Sequence, residues 1–318
     1  MKETKPTIFV GVDVAKGHLD IFRSNGRKVV RIENTTAQIQ AWIGRQKGNT
    51  IHVVMEATGG YETNFVDCLH ESEIPCSAVN AKRIKDFARS CGTLEKTDAI
   101  DAKVIARFGE VMTPQPMEKP TKAVRLLKTL TARRTQILQQ IWQEANRLEQ
   151  SHCDVARSFM SNAVDFYKKQ LKEVDLLISK AIEEDESSLR QSKILNSIPG
   201  VGKVMTATAV AQLPELGLLN RGQIAKLVGV APLANDSGQK TGTRKTYAGR
   251  SSVRRVLSMA ALVATKHNSI IRTFYLSLLA RGKNKKVALV ACMRKLLTIM
   301  NCMIRNNEIW RTSPEETA

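Results

Sequence analysis

The sequence predicts a mixed α/β N-terminal domain, an antiparallel pair of long helices and a mainly α-helical C-terminal domain. Three observations lead to this architecture. Short apolar strands alternate with helical patterns in the N-terminal third, a heptad spacing of apolar residues follows, and the remainder combines helical periodicity with a large positive charge. The expected domains are residues 1–115, 116–190 and 191–318.

The N-terminal elements follow the order of an RNase H-like fold. Three short apolar segments come first, at 7–15, 18–22 and 28–32. Asn25-Gly26 lies between the second and the third, which is a hairpin signal, so we expect an antiparallel meander. An amphipathic helix, a strand at 51–56 and a further helix–strand–helix pattern follow. Meander strands succeeded by alternating helices and parallel strands are typical of that fold.

A heptad seam predicts an antiparallel coiled-coil hairpin in the middle of the chain. Its clearest positions step by four and three: Tyr167, Leu171, Val174, Ile178 and Ala181. A less regular seam precedes it: Leu127, Leu130, Ile137 and Ile141. Two helices joined near residues 151–159 would pair these seams. We interpret this hairpin as a spacer or dimer stalk that carries no chemistry.

The C-terminal region has the charge of a polyanion-binding domain. From Gln191 onward there are 20 basic and 5 acidic residues, a net +15 out of +19 for the whole chain. The turn Pro199-Gly200-Val201-Gly202 between two helical patterns predicts a helix-hairpin-helix-like element, whose backbone N–H groups can bind a phosphate; an ordinary helical hairpin is the alternative. The candidate nucleic-acid-binding residues are Lys203, Lys240, Arg244, Lys245, Arg250, Arg254 and Arg255. Charge alone does not distinguish RNA from DNA.

Four carboxylates are candidate metal ligands. Asp13 ends the first strand and Glu56 ends the fourth, and these two strands are neighbours in an RNase H-like sheet. Asp98 and Asp101 are three apart in a helical pattern and so share a face. Acids gathered in this way need cations, and two Mg²⁺ ions about 4 Å apart, with Mn²⁺ as a possible substitute, would neutralise them and clamp a phosphodiester. Other acids are weaker candidates because none ends a strand: Asp20, Glu62 and Asp67.

Several motifs resemble those of the DEDD transposases of bacterial insertion sequences. "GVDVAKGHLDIF", "VVMEATGGYE" and "KTDAIDAKVIARF" resemble the RuvC-like catalytic domain of that family, and "SIPGVGKVMTATAVAQLPE", "LVGVAPLANDSGQKTG" and "GRSSVRRVLSMAALVATKHN" resemble its C-terminal transposase domain. The resemblance implies a metal-binding quartet of Asp13, Glu56, Asp98 and Asp101, and a catalytic serine at Ser237. It further implies a recombinase directed by a guide (bridge) RNA, which acts on donor and target DNA as a dimer or a dimer of dimers.

Ser237 depends on that resemblance. Taken alone, a serine before Gly238 in a polar loop is usually a turn residue, and no histidine lies nearby in sequence to activate it. Two alternatives therefore stay open: a metal-dependent junction nuclease without a serine intermediate, and a non-catalytic nucleic-acid bridging protein.

The chain is expected to act in the cytoplasm without a membrane partner. Its N-terminus lacks the layout of a signal peptide, and no apolar run is judged long enough to span a bilayer. The six cysteines are scattered without CxxC spacing and are expected to be reduced, mostly buried thiols.

Overall fold

The chain folds into two units, residues 1–119 and 120–318. A computed structural model describes residues 7–46, 48, 50–57, 59–92, 98–233, 242 and 244–311, with side-chain environments for all of these except 98–100. Ser237 and Lys240 lie outside the described residues, and the side chain of Asp98 is not described.

A five-stranded sheet forms the centre of the first unit. Its strands are β1 (Ile8–Val14), β2 (His18–Arg23), β3 (Val30–Glu33), β4 (Ile51–Glu56) and β5 (Cys76–Val79), in the spatial order β3-β2-β1-β4-β5. β1, β2 and β3 are antiparallel neighbours, whereas β4 pairs parallel with both β1 and β5. The predicted meander and the predicted neighbourhood of strands one and four are therefore confirmed.

Helices cover both faces of this sheet. They are α1 (Thr36–Gly44), α2 (Thr63–Glu71), α3 (Ala81–Ser90) and α4 (Asp98–Met112). Side chains of alternate strand residues, such as Val10 and Val12, pack with α1 and α2. The opposite face, which includes Val54 and Val79, packs with α3 and α4. Alternation along each strand thus decides which residues lie under α4.

The predicted coiled-coil hairpin is present as α5 (Lys122–Gln150) and α6 (Asp154–Glu183). Its seam is a cluster with Leu127, Ile137, Val174 and Ile178 buried. The ion pair between Arg134 Nε and Asp175 Oδ1, at 2.7 Å, links the two helices. The same cluster includes residues of the first helix that follows the Pro-Gly-Val-Gly turn, so the base of the hairpin packs against the C-terminal helices.

The C-terminal part of the second unit is helical in all described elements except one short bridge. The helices are α7 (Glu186–Asn196), α8 (Lys203–Gln212), α9 (Arg221–Val228), α10 (Ser251–His267), α11 (Ser269–Ala280) and α12 (Lys285–Asn306). The expected helical hairpin is formed by α7 and α8. Gly200, with φ +96°, packs so closely on α10 that a Cβ there would lie 2.6 Å from Ala264 Cα, whereas Gly202 is open.

One expectation about membranes needs correction. Helix α12 is, by length and composition, apolar enough to cross a bilayer, so the chain does contain an apolar stretch of spanning length. However, Leu296, Leu297 and Met300 are fully buried in the helical core. A central core helix passes the same test of length and hydropathy, and its packing accounts for its composition.

Candidate functional site

Asp13 and Glu56 lie side by side at the ends of two parallel strands. β1 and β4 pair in register up to Val12 and Met55, so the next residues, Asp13 and Glu56, are level with each other. Both are partly buried. Directly opposite residues of neighbouring strands have Cβ atoms roughly 5 Å apart. The sheet therefore brings these two carboxylates to one edge, as the sequence predicts.

Both carboxylates belong to the face that α4 covers. Gly11, two residues before Asp13, faces α4. A Cβ added there would lie 2.2 Å from both Ala102 O and Ala106 N. Since strand residues alternate between faces, Asp13 shares the face of Gly11. Glu56 shares the face of Val54, which contacts the Gly109 position of α4.

The direction of α4 carries its first turn towards Asp13. Gly109 meets Phe9 at one end of β1, and the Ala102–Ala106 turn meets Gly11 two residues further on. One more step of two strand residues, about 6.7 Å, corresponds to roughly four or five helical residues at 1.5 Å each. That step ends at the first turn of α4, residues 98–101. The segments that carry Asp13, Glu56 and Asp101 thus belong to one face of the sheet and to the helix that covers it.

These residues have the chemistry of a divalent-metal site, although the described side chains do not complete one. Carboxylate oxygens are the ligands that hard cations such as Mg²⁺ take in proteins. Among the side chains that the structure describes, no three from histidine, cysteine, aspartate and glutamate are grouped closely enough to hold an ion. Asp13, Glu56 and Asp101 are all in that described set, and Asp98, the fourth member of the predicted quartet, is outside it.

Asp20, a weaker candidate by sequence, also lies on this face. It lies directly opposite Asp13 in the β1–β2 ladder, and its carboxylate is buried. Arg31 of β3 is the cross-strand partner of Asp20, and it donates hydrogen bonds from Nε and Nη2 to Asp20 Oδ1 and Oδ2 at 2.8 and 2.7 Å. A signal for it existed: residues 13 and 20 are symmetric about the turn that joins their strands. Asp20 ranked below the quartet in the sequence because it does not end a strand.

A short backbone bridge closes the segment that contains Ser237. Leu233 N donates to Lys245 O at 2.9 Å, and Lys245 N donates to Leu233 O at 3.3 Å. Ser237 and Lys240 belong to the chain between these two residues. The structure therefore fixes where this segment leaves and rejoins the helical domain, and the role of Ser237 itself stays a prediction.

Two of the predicted DNA-binding arginines make internal contacts that anchor this same region. The guanidinium of Arg250 forms two hydrogen bonds of 2.6 Å with Glu215 and one of 2.8 Å with the carbonyl of Gln212. Arg254 donates to the backbone carbonyls of Val228 and Ala248. These bonds attach the chain after the bridge to the ends of α8 and α9.

The other described basic candidates are exposed. Lys203 begins α8 beside the open Gly202, and Arg244, Lys245 and Arg255 lie before and within the start of α10. Exposed cations of this kind suit contacts with a phosphate backbone, because their side chains are accessible to a polyanion.

The buried cysteines are unsuited to act as nucleophiles or metal ligands. Cys68, Cys76 and Cys292 are buried, and burial raises the pKa of the Cys76 and Cys292 thiols to about 11. They stay protonated near neutral pH and pack as small apolar groups. Cys91, Cys153 and Cys302 are exposed, which differs from an expectation of mostly buried thiols.

Comparison with known proteins finds family matches for two regions of the chain. Residues 10–151 match the model of the IS110 DEDD transposase domain, and residues 192–276 match the Transposase IS116/IS110/IS902 family. The pilin gene-inverting proteins of Moraxella bovis and Moraxella lacunata are 27% and 26% identical over 94% of this chain and 96% of their own lengths. An uncharacterized 44.8 kDa protein of insertion element IS116 from Streptomyces clavuligerus is 27% identical over 60% of this chain and 45% of its own.

The α/β unit with its edge of carboxylates and the helical unit, taken with these matches, define a DNA transposase or recombinase. Such an enzyme binds DNA, and the DEDD domain implies the use of a divalent metal ion. The chain belongs to the IS110/IS116 family of insertion-sequence transposases.

Proposed function

We propose that this transposase cleaves, exchanges and rejoins DNA strands with a metal-binding quartet and a serine nucleophile, under the direction of a guide RNA. The observation that supports the metal-binding part of this proposal is the level placement of Asp13 and Glu56 on the sheet face that α4 covers. The strand order β3-β2-β1-β4-β5, with three antiparallel strands followed by parallel ones, supports an RNase H-like, RuvC-like fold for that half.

Asp13, Glu56, Asp98 and Asp101 would hold the metal, and Mg²⁺ is the expected ion, with Mn²⁺ as a substitute. When bound, the metal supplies charge neutralisation and polarisation at the scissile phosphate. The chain's own part is to fix two carboxylates on rigid strands and two on the start of one helix. Positions on strands and helices restrict movement of the ligands more than a loop would.

Ser237 is the proposed nucleophile. Its Oγ attacks phosphorus and loses its proton while one bond from phosphorus to a sugar oxygen breaks, and that oxygen leaves as a hydroxyl on the released strand. Energy of the phosphodiester is kept in the serine ester, which the hydroxyl of another strand then attacks to rejoin DNA. The bridge between Leu233 and Lys245 and the anchors at Arg250 and Arg254 support this role, because they hold both ends of the segment.

Recombination is favoured over simple junction cleavage by the relatives. Two proteins that match nearly the whole chain are described as gene-inverting, and inversion requires strands to be rejoined as well as cut. The net charge of +15 after residue 190 provides for binding of both DNA and RNA backbones. We further propose a dimer, or a dimer of dimers, acting in the cytoplasm, because exchange between donor and target requires two DNA segments to be held together.

The decisive experiment traps the serine ester. Purified protein with its co-purified RNA is incubated with labelled donor and target DNA and then denatured. We expect a covalent protein–DNA adduct with wild-type protein and none with Ser237→Ala, while Ser251→Ala, at the start of α10, retains it. An adduct that survives Ser237→Ala contradicts the serine mechanism. Sequencing of the co-purified RNA tests the guide, and absence of RNA from the element's flanking non-coding DNA contradicts it.

A further inference from the structure

Three carboxylates and one guanidinium form a row across the sheet face that α4 covers. From β4 to β3 its members are Glu56, Asp13, Asp20 and Arg31. Strands lie about 4.8 Å apart, so each member has its neighbour at roughly that spacing. The face is fixed independently by Phe22, which pairs with Gly11 and lies beneath Lys103 of α4.

Asp20 and Arg31 are bound to each other rigidly. The Asp20 side chain is only 4% exposed, while that of Arg31 is 57% exposed. A buried carboxylate is strongly unfavourable unless it is paired, and the two-pronged bond to Arg31 supplies that pairing with fixed geometry. His18 adds a contact, with its Nε2 3.6 Å from Asp20 Oδ2. The pairing therefore fixes the Asp20 carboxylate beside Asp13.

The order of charges in the row has an electrostatic consequence. A cation at the edge formed by Asp13 and Glu56 lies one strand from Asp20 and two strands from Arg31. Attraction by the nearer carboxylate exceeds repulsion by the farther guanidinium, since Coulomb energy falls with distance. Loss of either charge alone would leave the other unbalanced beside the site.

We propose that the Asp20–Arg31 pair sets the divalent-cation affinity of the carboxylate edge. Asp20 is a positioning residue that keeps the edge negative without ligating the ion, and Arg31 limits that negative charge. This inference rests on the proposed function, because it takes the edge formed by Asp13 and Glu56 to be the metal site. It assigns a role to two residues that lie outside the predicted quartet.

The test measures Mn²⁺ binding to the full-length protein by titration calorimetry at pH 8, where histidine side chains are ordinarily neutral. We expect Asp20→Asn to weaken binding about fivefold and Arg31→Gln to strengthen it about fivefold, because a unit charge is removed near a divalent ion in each case. The double variant Asp20→Asn/Arg31→Gln should bind within about twofold of wild type, since both charges are gone. Arg27→Gln, in the β2–β3 connection, is the control for net charge and should leave affinity unchanged.

Several results would overturn the inference. Weaker Mn²⁺ binding by both single variants would show that the pair serves only the fold. The double variant buries no unpaired charge, so its circular dichroism shows whether the fold survives without the pair. If Arg27→Gln changed the Mn²⁺ affinity as much as Arg31→Gln, the effect would come from net charge alone. Glu56→Gln separates the two proposals: if it abolishes Mn²⁺ binding while Asp20→Asn and Arg31→Gln change nothing, the metal site stands and the pair's role falls. If wild type binds no Mn²⁺, both fall.

Discussion

Gly11 of β1 lies so close to Ala106 of α4 that a Cβ on the glycine would be 2.2 Å from the alanine's backbone nitrogen. Strand and helix therefore touch through their backbones, which is possible only because this strand position has no side chain. The contact determines how near the first turn of α4 approaches the end of β1. The predicted site therefore depends on this contact, because Asp101 lies in that first turn and Asp13 near that strand end.

Gly11→Ala should disable the site without changing a carboxylate. The added methyl group would displace α4, at a cost of about 1–3 kcal/mol in stability, and should abolish DNA cleavage and Mn²⁺ binding. Gly17→Ala is the matched control, because nothing lies within 4 Å of a Cβ there. Urea unfolding and cleavage assays of both variants check this. A fully active Gly11→Ala protein would contradict the placement of α4.

Arg250 and Arg255 should behave differently although both lie in the same basic segment. Arg255→Ala should weaken DNA binding and reduce the slope of log affinity against log salt by about one, as expected for loss of one phosphate contact. Arg250→Ala should instead lower the melting temperature, because it leaves Glu215 and the Gln212 carbonyl without their partner. Equal loss of salt slope in the two variants, with unchanged stability, would show that Arg250 contacts DNA.

His52 should make the stability of the first unit depend on pH. Burial lowers its pKa from 6.5, and its Nε2 lies 2.8 Å from Ser77 Oγ. The unfolded chain therefore binds a proton more readily than the folded one, so stability is fully present above pH 6.5 and is lost as pH falls below it. The measurement is the urea midpoint from pH 8 to pH 5.5, compared with His52→Gln. The wild type should lose more stability over this range than the variant, and parallel curves would contradict the assignment.

The sequence predicted those features of the fold that depend on local periodicity. The short, mostly apolar segment at residues 51–56 and the heptad positions from Tyr167 to Ala181 became β4 and the seam of α6. The neighbourhood of β1 and β4 followed from the order of elements alone. The strand pattern and the heptad pattern are each encoded within a short stretch of chain, and tertiary packing did not override them.

Features that depend on contacts distant in sequence were not predictable. The ion pair of Arg250 was not foreseen, because its partner, Glu215, is 35 residues away. Asp20 was a weaker candidate because it does not end a strand, and its place opposite Asp13 depends on the register of two strands. Helix α12 was missed as an apolar helix of spanning length because its hydrophobic residues are interrupted by cations.

The most direct test of the account uses Asp13→Asn and Glu56→Gln in one set of assays. These changes keep shape and remove charge at the two residues that the β1–β4 register places level with each other. We expect both variants to lose DNA strand cleavage and Mn²⁺ binding. DNA affinity should stay within about twofold of wild type, because the excess positive charge lies after residue 190. Asp67→Asn, on α2 at the opposite face of the sheet, should leave all three properties unchanged. Undiminished cleavage by either Asp13→Asn or Glu56→Gln in Mg²⁺ would contradict the carboxylate edge as the catalytic centre.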